Sequence, residues 1–191
     1  MTGWVAAALL SFGVIFVAEL GDKSQLMALA FATRYPAIPV LVGITVATSV
    51  VHAVSVALGF GLGTAVPTTA VGVAAGVAFL GFAGWTLRGD TLSADEEKRA
   101  TRGTRSAVIA ASVAFFLAEL GDKTMLATIA LATTYDWFGT WLGSTLGMVA
   151  ADALAIVVGR QLGRHLPERT IRYGAAALFV IFGVWLLVEA L

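Results

Sequence analysis

Long apolar runs fill this chain, and polar residues interrupt them at few places. Six stretches stand out, at about 4–33, 38–63, 69–87, 106–134, 137–160 and 172–190. Each can supply the roughly 20 mainly apolar residues that a spanning helix needs. The runs are continuous and lack the period-2 alternation of an outer-membrane strand, so they predict helices and not a barrel. A straight helix over the whole first stretch would measure ~45 Å, against a hydrocarbon core of ~30 Å. That mismatch predicts a tilt, a break or an overhang, with a kink near Gly21. The stretch is not read as a signal peptide, because it lacks a basic leader and carries Glu19, Asp22 and Lys23 at its centre.

The cations fix an orientation. If the chain crosses at every stretch, Arg34, Arg88, Lys98, Arg99, Arg102, Arg105, Arg160, Arg164, Arg169 and Arg172 all fall on one side. The other side receives no Lys or Arg, and the remaining two cations, Lys23 and Lys123, lie inside spans. The positive-inside rule makes the basic face cytoplasmic and puts both termini outside. The segment 89–104, with Asp95, Glu96, Glu97, Lys98 and Arg99, reads as a solvated cytoplasmic linker; a regulatory or metal-feeding role for its acids is the alternative.

Composition agrees with this pattern. Of 191 residues, 59% are hydrophobic and 13% charged, and the mean hydropathy is +0.90. Soluble domains carry about 25% charged residues, and disorder requires low hydrophobicity, so both classes are excluded. Twelve cations balance twelve anions, which gives no sign of a nucleic-acid partner. With no cysteine, disulfides, thiolate metal sites and thiol nucleophiles are ruled out. The expected partner is the lipid bilayer, around a monomer or weak homo-oligomer.

Comparing the chain with itself reveals a duplication. A shift of 100 residues lays Phe16–Ser24 on Phe116–Thr124, and 26 of the 91 ungapped pairs are identical. Residues 1–88 form the first three-span repeat and 105–191 the second, joined by the linker 89–104. Because three is odd, the second half enters the membrane in the opposite sense. The expected fold is all-α and integral to the membrane, with six transmembrane helices as two inverted three-helix repeats. Such architectures are typical of secondary transporters, with the substrate site near the midplane where the repeats meet.

The buried ionisable residues fall at that midplane. Glu19 and Asp22 lie three residues apart, which on a continuous helix places them on one face, and Glu119 and Asp122 repeat the arrangement. On insertion scales each charge at the bilayer centre costs ~2.5–3.5 kcal/mol, so these groups are expected to face one another inside the bundle. Oxygen-only ligation without Cys points to a hard divalent ion, Ca²⁺, Mn²⁺ or Mg²⁺. Ser24 and Thr124 could add hydroxyls, and backbone carbonyls could join if Gly21 and Gly121 loosen the helix. Four carboxylates and the ammoniums of Lys23 and Lys123 leave two negative charges, which one divalent ion or two protons would neutralise. Cation/proton exchange is therefore the chemistry expected of this set, while spacing alone does not say which ion moves.

Glu-Leu-Gly-Asp-Lys-Ser at 19–24 and Glu-Leu-Gly-Asp-Lys-Thr at 119–124 match a duplicated Glu-x-Gly-Asp-(Lys/Arg)-(Ser/Thr) signature. In this respect the chain resembles the Gdt-type family of membrane cation exchangers, also described as a second calcium/cation antiporter family. The resemblance covers essentially the whole chain. It implies transport of Mn²⁺ and Ca²⁺ in exchange for protons, with the motif acids as the ion site. For bacterial relatives it implies mainly manganese export from the cytosol; the compactness of the chain, separately, suggests a prokaryotic plasma (inner) membrane. Mn²⁺ or Ca²⁺ is then cargo, and no prosthetic group is expected.

Further positions join the candidate list. His52 and Asp152 correspond under the same shift, and each falls near the middle of the second span of its half. Either is a candidate proton carrier or outer ligand, against a simple helix-to-helix hydrogen bond. Lys23 and Lys123 are read as charge-setting partners or proton-coupling groups. Gln25 lies beside the first motif where Met125 lies beside the second, so a ligating Gln25 would make the site asymmetric. Two rivals stand beside the exchanger. One is an exporter of small organic cations or amino acids, which wants a larger, partly apolar cavity. The other is an intramembrane enzyme using paired carboxylates, a role that needs no duplicated motif.

Overall fold

The computed structural model describes residues 3–88, 94–95, 106–162 and 168–191. Apart from Ala94 and Asp95, the linker expected at 89–104 lies outside the described residues. The principal elements are helices: α1 (Gly3–Glu19), α2 (Lys23–Arg34), α3 (Ala37–Ala65), α4 (Thr68–Arg88), α5 (Ala107–Glu119), α6 (Lys123–Ala132), α7 (Trp137–Leu162) and α8 (Glu168–Ala190). Among the described residues there is no strand. In a bilayer the backbone must satisfy its own polar groups, and a helix does so within one segment.

Among the described residues four helices are long and apolar enough to cross a membrane: Ala37–Ala65, Thr69–Arg88, Trp137–Gly159 and Tyr173–Ala190. The first and fourth apolar stretches are not straight spans. The first is divided into α1 and α2, which meet at a bend of 75° and count as a fifth span only if taken together. The fourth is divided into α5 and α6, of 13 and 10 residues. At 1.5 Å per residue these are ~20 and ~15 Å long, so neither crosses a ~30 Å core alone. Both interruptions fall within the duplicated hexapeptide.

The exterior of the bundle is apolar and its interior is partly polar. Along α3, Ile38, Val42, Val46, Val50, Val54, Leu58 and Leu62 are all exposed and form a stripe at a spacing of four. The opposite face buries Thr48, His52 and Ser55 together with Ile44, Val51 and Val56. Water would penalise such a stripe, whereas hydrocarbon would not.

Packing between the helices is reciprocal. α1 lies against α7 and α5 against α3; α2 lies against α7 and α6 against α3. These are equivalent pairs under the 100-residue shift. α3 also meets α7, and α4 meets α8, so each of those helices packs on its own counterpart. Glycines allow the closest approaches. A Cβ at Gly43 would lie 2.6 Å from the Val108 carbonyl oxygen, and one at Gly143 would collide with the carbonyl of Ala8, the counterpart of Val108. Thr48 donates a 3.4 Å hydrogen bond to Sδ of Met148, which occupies its own equivalent position. Two apolar clusters flank this centre, one built around Phe31, Ile44 and Phe115, the other around Ile15, Phe79, Met148 and Phe179.

An Ala in place of a mid-helix Gly normally gains up to ~1 kcal/mol. At Gly143 the added methyl meets backbone that cannot yield, so Gly143→Ala is expected to destabilise the protein by about 1–3 kcal/mol. Gly61, with open space around it, should tolerate the same change. Thermal unfolding of the two variants in detergent checks the contrast.

Candidate cation site

The hexapeptide encodes a helix break. Glu19 ends α1 and Glu119 ends α5. The amide of Asp22 then donates to the Glu19 carbonyl at 3.1 Å, and that of Asp122 to the Glu119 carbonyl at 3.2 Å. Leu120 has φ −64° and ψ 114°, and Gly121 follows at φ 79°. Those angles and that hydrogen bond define a type II turn, which requires a positive φ at its third residue. Gly21, at φ 77°, fills the same place in the first copy. Glycine is required here because an L side chain is strained at this φ. The expectation that Glu19 and Asp22 share one face of a continuous helix is therefore corrected. A turn separates them, with the glutamate on the C-terminal end of one helix and the aspartate at the start of the next.

Asp22 and Asp122 occupy the N-cap positions of α2 and α6, but neither side chain makes a cap hydrogen bond. Their carboxylates reach across the molecule instead. Lys123 donates to Oδ1 of Asp22, and Nζ of Lys23 lies 3.4 Å from Oδ1 of Asp122. Each motif thus lends its lysine to the other motif's aspartate. Reciprocity of this kind, where residue i meets j′ and j meets i′, is the mark of a two-fold contact.

Burial of the set is nearly complete. Glu19, Asp22, Glu119, Asp122, Ser24, Thr124 and Lys123 are all buried. The two lysines differ, with 19% of the Lys23 side chain exposed against 3% for Lys123. Ser24 Oγ lies 3.5 Å from Oδ2 of Asp22, and Thr124 Oγ1 donates to Oε2 of Glu119 at 3.0 Å. Both oxygens of Glu19, Oε1 of Glu119 and Oδ2 of Asp122 are buried without a hydrogen-bond partner. Such a group forfeits its hydration, so buried polar atoms left in this condition call for an explanation.

Asp152 joins the set from α7. It is fully buried, neither carboxylate oxygen has a partner, and it lies within electrostatic reach of Asp22, Glu19 and Glu119. Its equivalent, His52, is buried in α3 with Nδ1 unpartnered. Gln25 works as a strut. Its Oε1 accepts from the Gly21 amide at 2.8 Å, and its Nε2 donates to the Ala151 carbonyl at 2.9 Å. In the second half Met125 Sδ takes the Gly121 amide at 3.2 Å, but a thioether has no N–H to offer α3. The Thr48–Met148 contact and the Ala151 carbonyl are parts of this arrangement that motif reading did not single out. The 100-residue offset would have pointed to the first, while the second is a backbone atom and leaves no mark in sequence.

In this conformation no three His, Asp or Glu side chains among the described residues converge at metal-binding distances. Each motif aspartate carries an ammonium instead. With all groups ionised, five buried carboxylates against two lysines leave three negative charges unbalanced, an excess that a bound cation would reduce.

Comparison with known proteins decides between the readings. A family model described as "Divalent cation/proton antiporter GDT1" matches residues 7–94 and 107–191. The chain belongs to the GDT1 family. A Vibrio cholerae protein named "Putative manganese exporter" is 34% identical over 178 residues, covering 92% of this chain and 87% of its own length. "GDT1-like protein sll0615" of Synechocystis is 31% identical over 202 residues, covering 96% of each chain. The rice protein "GDT1-like protein 2, chloroplastic" is 34% identical over 214 residues, of which this chain spans 60% of the length. No solved structure matches the chain. As a GDT1 member it is a multi-pass membrane transporter that exchanges divalent cations for protons, and it is not an enzyme. The two copies of the hexapeptide coincide with the two helix breaks.

Removing one partner of a buried ion pair costs about 3–5 kcal/mol, since the other charge is stranded. Lys123→Met should therefore destabilise the protein by that amount, and Lys23→Met by distinctly less, because Lys23 retains solvent contact. The double variant Asp22→Asn/Lys123→Met should recover most of the loss, as two partners of one interaction are not additive. Denaturant or thermal unfolding of the three variants measures this.

Proposed function

We propose that this GDT1 antiporter exports Mn²⁺ from the cytosol in exchange for protons, with Ca²⁺ as the other cargo. The observation that carries the reading is the reciprocal exchange of lysines between the two buried motifs. It gives one central locus, built equally from both halves, where carboxylates and ammoniums are balanced closely enough to be tipped by a divalent ion. Glu19, Asp22, Glu119 and Asp122 hold the ion and take up protons in its absence, and the Ser24 and Thr124 hydroxyls assist. Lys23 and Lys123 neutralise the aspartates while no ion is bound and yield to the ion when it arrives. The helix ends beside the acids offer backbone carbonyls and amides that intact spans would lack. The choice of Mn²⁺ and of export rests on the name of the Vibrio relative.

In this proposal the broken pairs α1–α2 and α5–α6 each act as one membrane-crossing segment. That makes six crossings, arranged as inverted repeats 1–88 and 105–191 about the cytoplasmic linker 89–104. Support comes from the equivalent packing of α1 on α7 and α5 on α3, and from Thr48 meeting Met148. The membrane in this proposal is a bacterial plasma (inner) membrane, and the basic loops support a cytoplasmic linker with both termini outside. Alternating access follows from rocking of the two halves about the shared acids, in a monomer or weak homo-oligomer. For an organic cation the acids would need a wide apolar chamber. The apolar grooves of about 520 and 360 Å³ are lined by residues such as Trp137, Phe138 and Leu178, and by no motif acid.

Purified protein in liposomes tests the function. With an acidic lumen, external Mn²⁺ or Ca²⁺ should enter faster than into empty vesicles, and collapse of the pH difference should slow it. Glu19→Gln should lower the rate at least tenfold. Fluxes equal to those of empty vesicles, or a Glu19→Gln variant that behaves like the parent, would refute the exchanger.

A further inference from the structure

We infer that Asp152 is a fifth carboxylate of the cation site, present on the first motif's side only and positioned by the Gln25 strut. The inference rests on the motif-acid site proposed above and adds a ligand that the duplicated signature does not contain.

Position comes first. Gln25 joins the turn amide of Gly21 to the carbonyl of Ala151, at 2.8 and 2.9 Å, and so fixes α7 at the residue before Asp152 against the start of α2. That start carries Asp22, the charged group whose field acts on Asp152. Glu19 and Glu119 also feel Asp152, and Lys123 sits on Asp22. Three motif acids thus lie within electrostatic reach of Asp152, and one of them, Asp22, already carries the ammonium of Lys123.

The condition of the side chain is the second observation. Asp152 is 0% exposed, and both of its oxygens lack a partner. A carboxylate retained for a helix-to-helix hydrogen bond would be making that bond. Left alone at this depth, it is a liability in the cation-free protein. Two unpartnered hard oxygens within electrostatic reach of other carboxylates have the chemistry of a ligand for a hard divalent ion.

The third observation is asymmetry. The duplication does not impose an acid here, since the equivalent residue is His52. The strut is equally one-sided, because Met125 stands where Gln25 would be. The two substitutions are equivalent in register: Gln25 bonds the helix that carries 152, and α6, which carries 125, packs on the helix that carries 52. Where the strut is present its helix carries the acid, and where it is absent its helix carries the imidazole. The cation is therefore held more strongly from the Asp22 side than from the Asp122 side.

Equilibrium binding of Mn²⁺, with Ca²⁺ as second probe, to the full chain in detergent tests this alongside thermal unfolding without cation. Asp152→Asn should weaken binding at least tenfold and raise the cation-free melting temperature. Asp152→Glu should keep most of the affinity, and Gln25→Met should lose about three- to tenfold. Parental binding by Asp152→Asn, or a fall in its cation-free melting temperature, overturns the inference. If the parent binds neither cation, or Glu19→Gln binds as the parent does, the motif-acid site itself is wrong and Asp152 falls with it. A weakened Glu19→Gln beside an unaffected Asp152→Asn condemns Asp152 alone.

Discussion

Burying several carboxylates at the centre of an apolar bundle is the constraint on which this structure turns. The exchange of lysines between the motifs is the response to it. Neither half can neutralise its own aspartate with its own lysine and still present the reciprocal pair, so the halves are bound together by the charges they must hide. The ion pairs do not make the protein stable in any simple sense, because desolvation offsets much of their attraction. They decide instead which arrangement of the two halves is tolerable. A molecule whose tolerable arrangements depend on charge can be shifted by adding or removing charge, and an exchanger needs that property.

The turn within each motif gives the constraint its geometry. A continuous helix would carry Glu19 and Asp22 as side chains on a satisfied backbone, and only their carboxylates could serve an ion. Breaking the helix at Gly21 and Gly121 exposes helix ends at the same depth as the acids. It also releases the aspartates from capping, so that they can point toward the opposite half. The cost is local, one left-handed residue per turn, and glycine carries it without strain.

Much of this was legible in the residues. The apolar runs marked each membrane-length helix found among the described residues, and the 100-residue register identified which positions are equivalent. The overlong first stretch predicts a tilt, a break or an overhang, and the break falls where a kink is expected, near Gly21. What escaped the reading has definite physical causes. In the fourth stretch the helical pattern runs through Leu120 without interruption, and a turn of four residues leaves the hydropathy of its surroundings unchanged. The cross-repeat lysine pairing could not be read from spacing, because spacing describes neighbours along one helix. Gln25 is a candidate ligand by its place in the sequence, yet its amide is engaged with two backbone groups, one of them 126 residues away. Asp152 was visible as an isolated acid, whereas its nearness to Asp22 depends on how α7 crosses α2.

Thr48 and Met148 carry one more implication. They hold equivalent positions and touch each other, so they lie on the two-fold relation itself. In a dimer of identical half-length chains, that position would meet its own copy. Two threonines or two methionines would face one another there, and no substitution could alter one without altering both. Joining the halves in a single polypeptide lifts that restriction, and here a hydroxyl donor faces a sulfur acceptor. The same freedom separates His52 from Asp152 and Gln25 from Met125. Covalent fusion therefore does more than connect the repeats: it permits each half to specialise while the architecture stays symmetric.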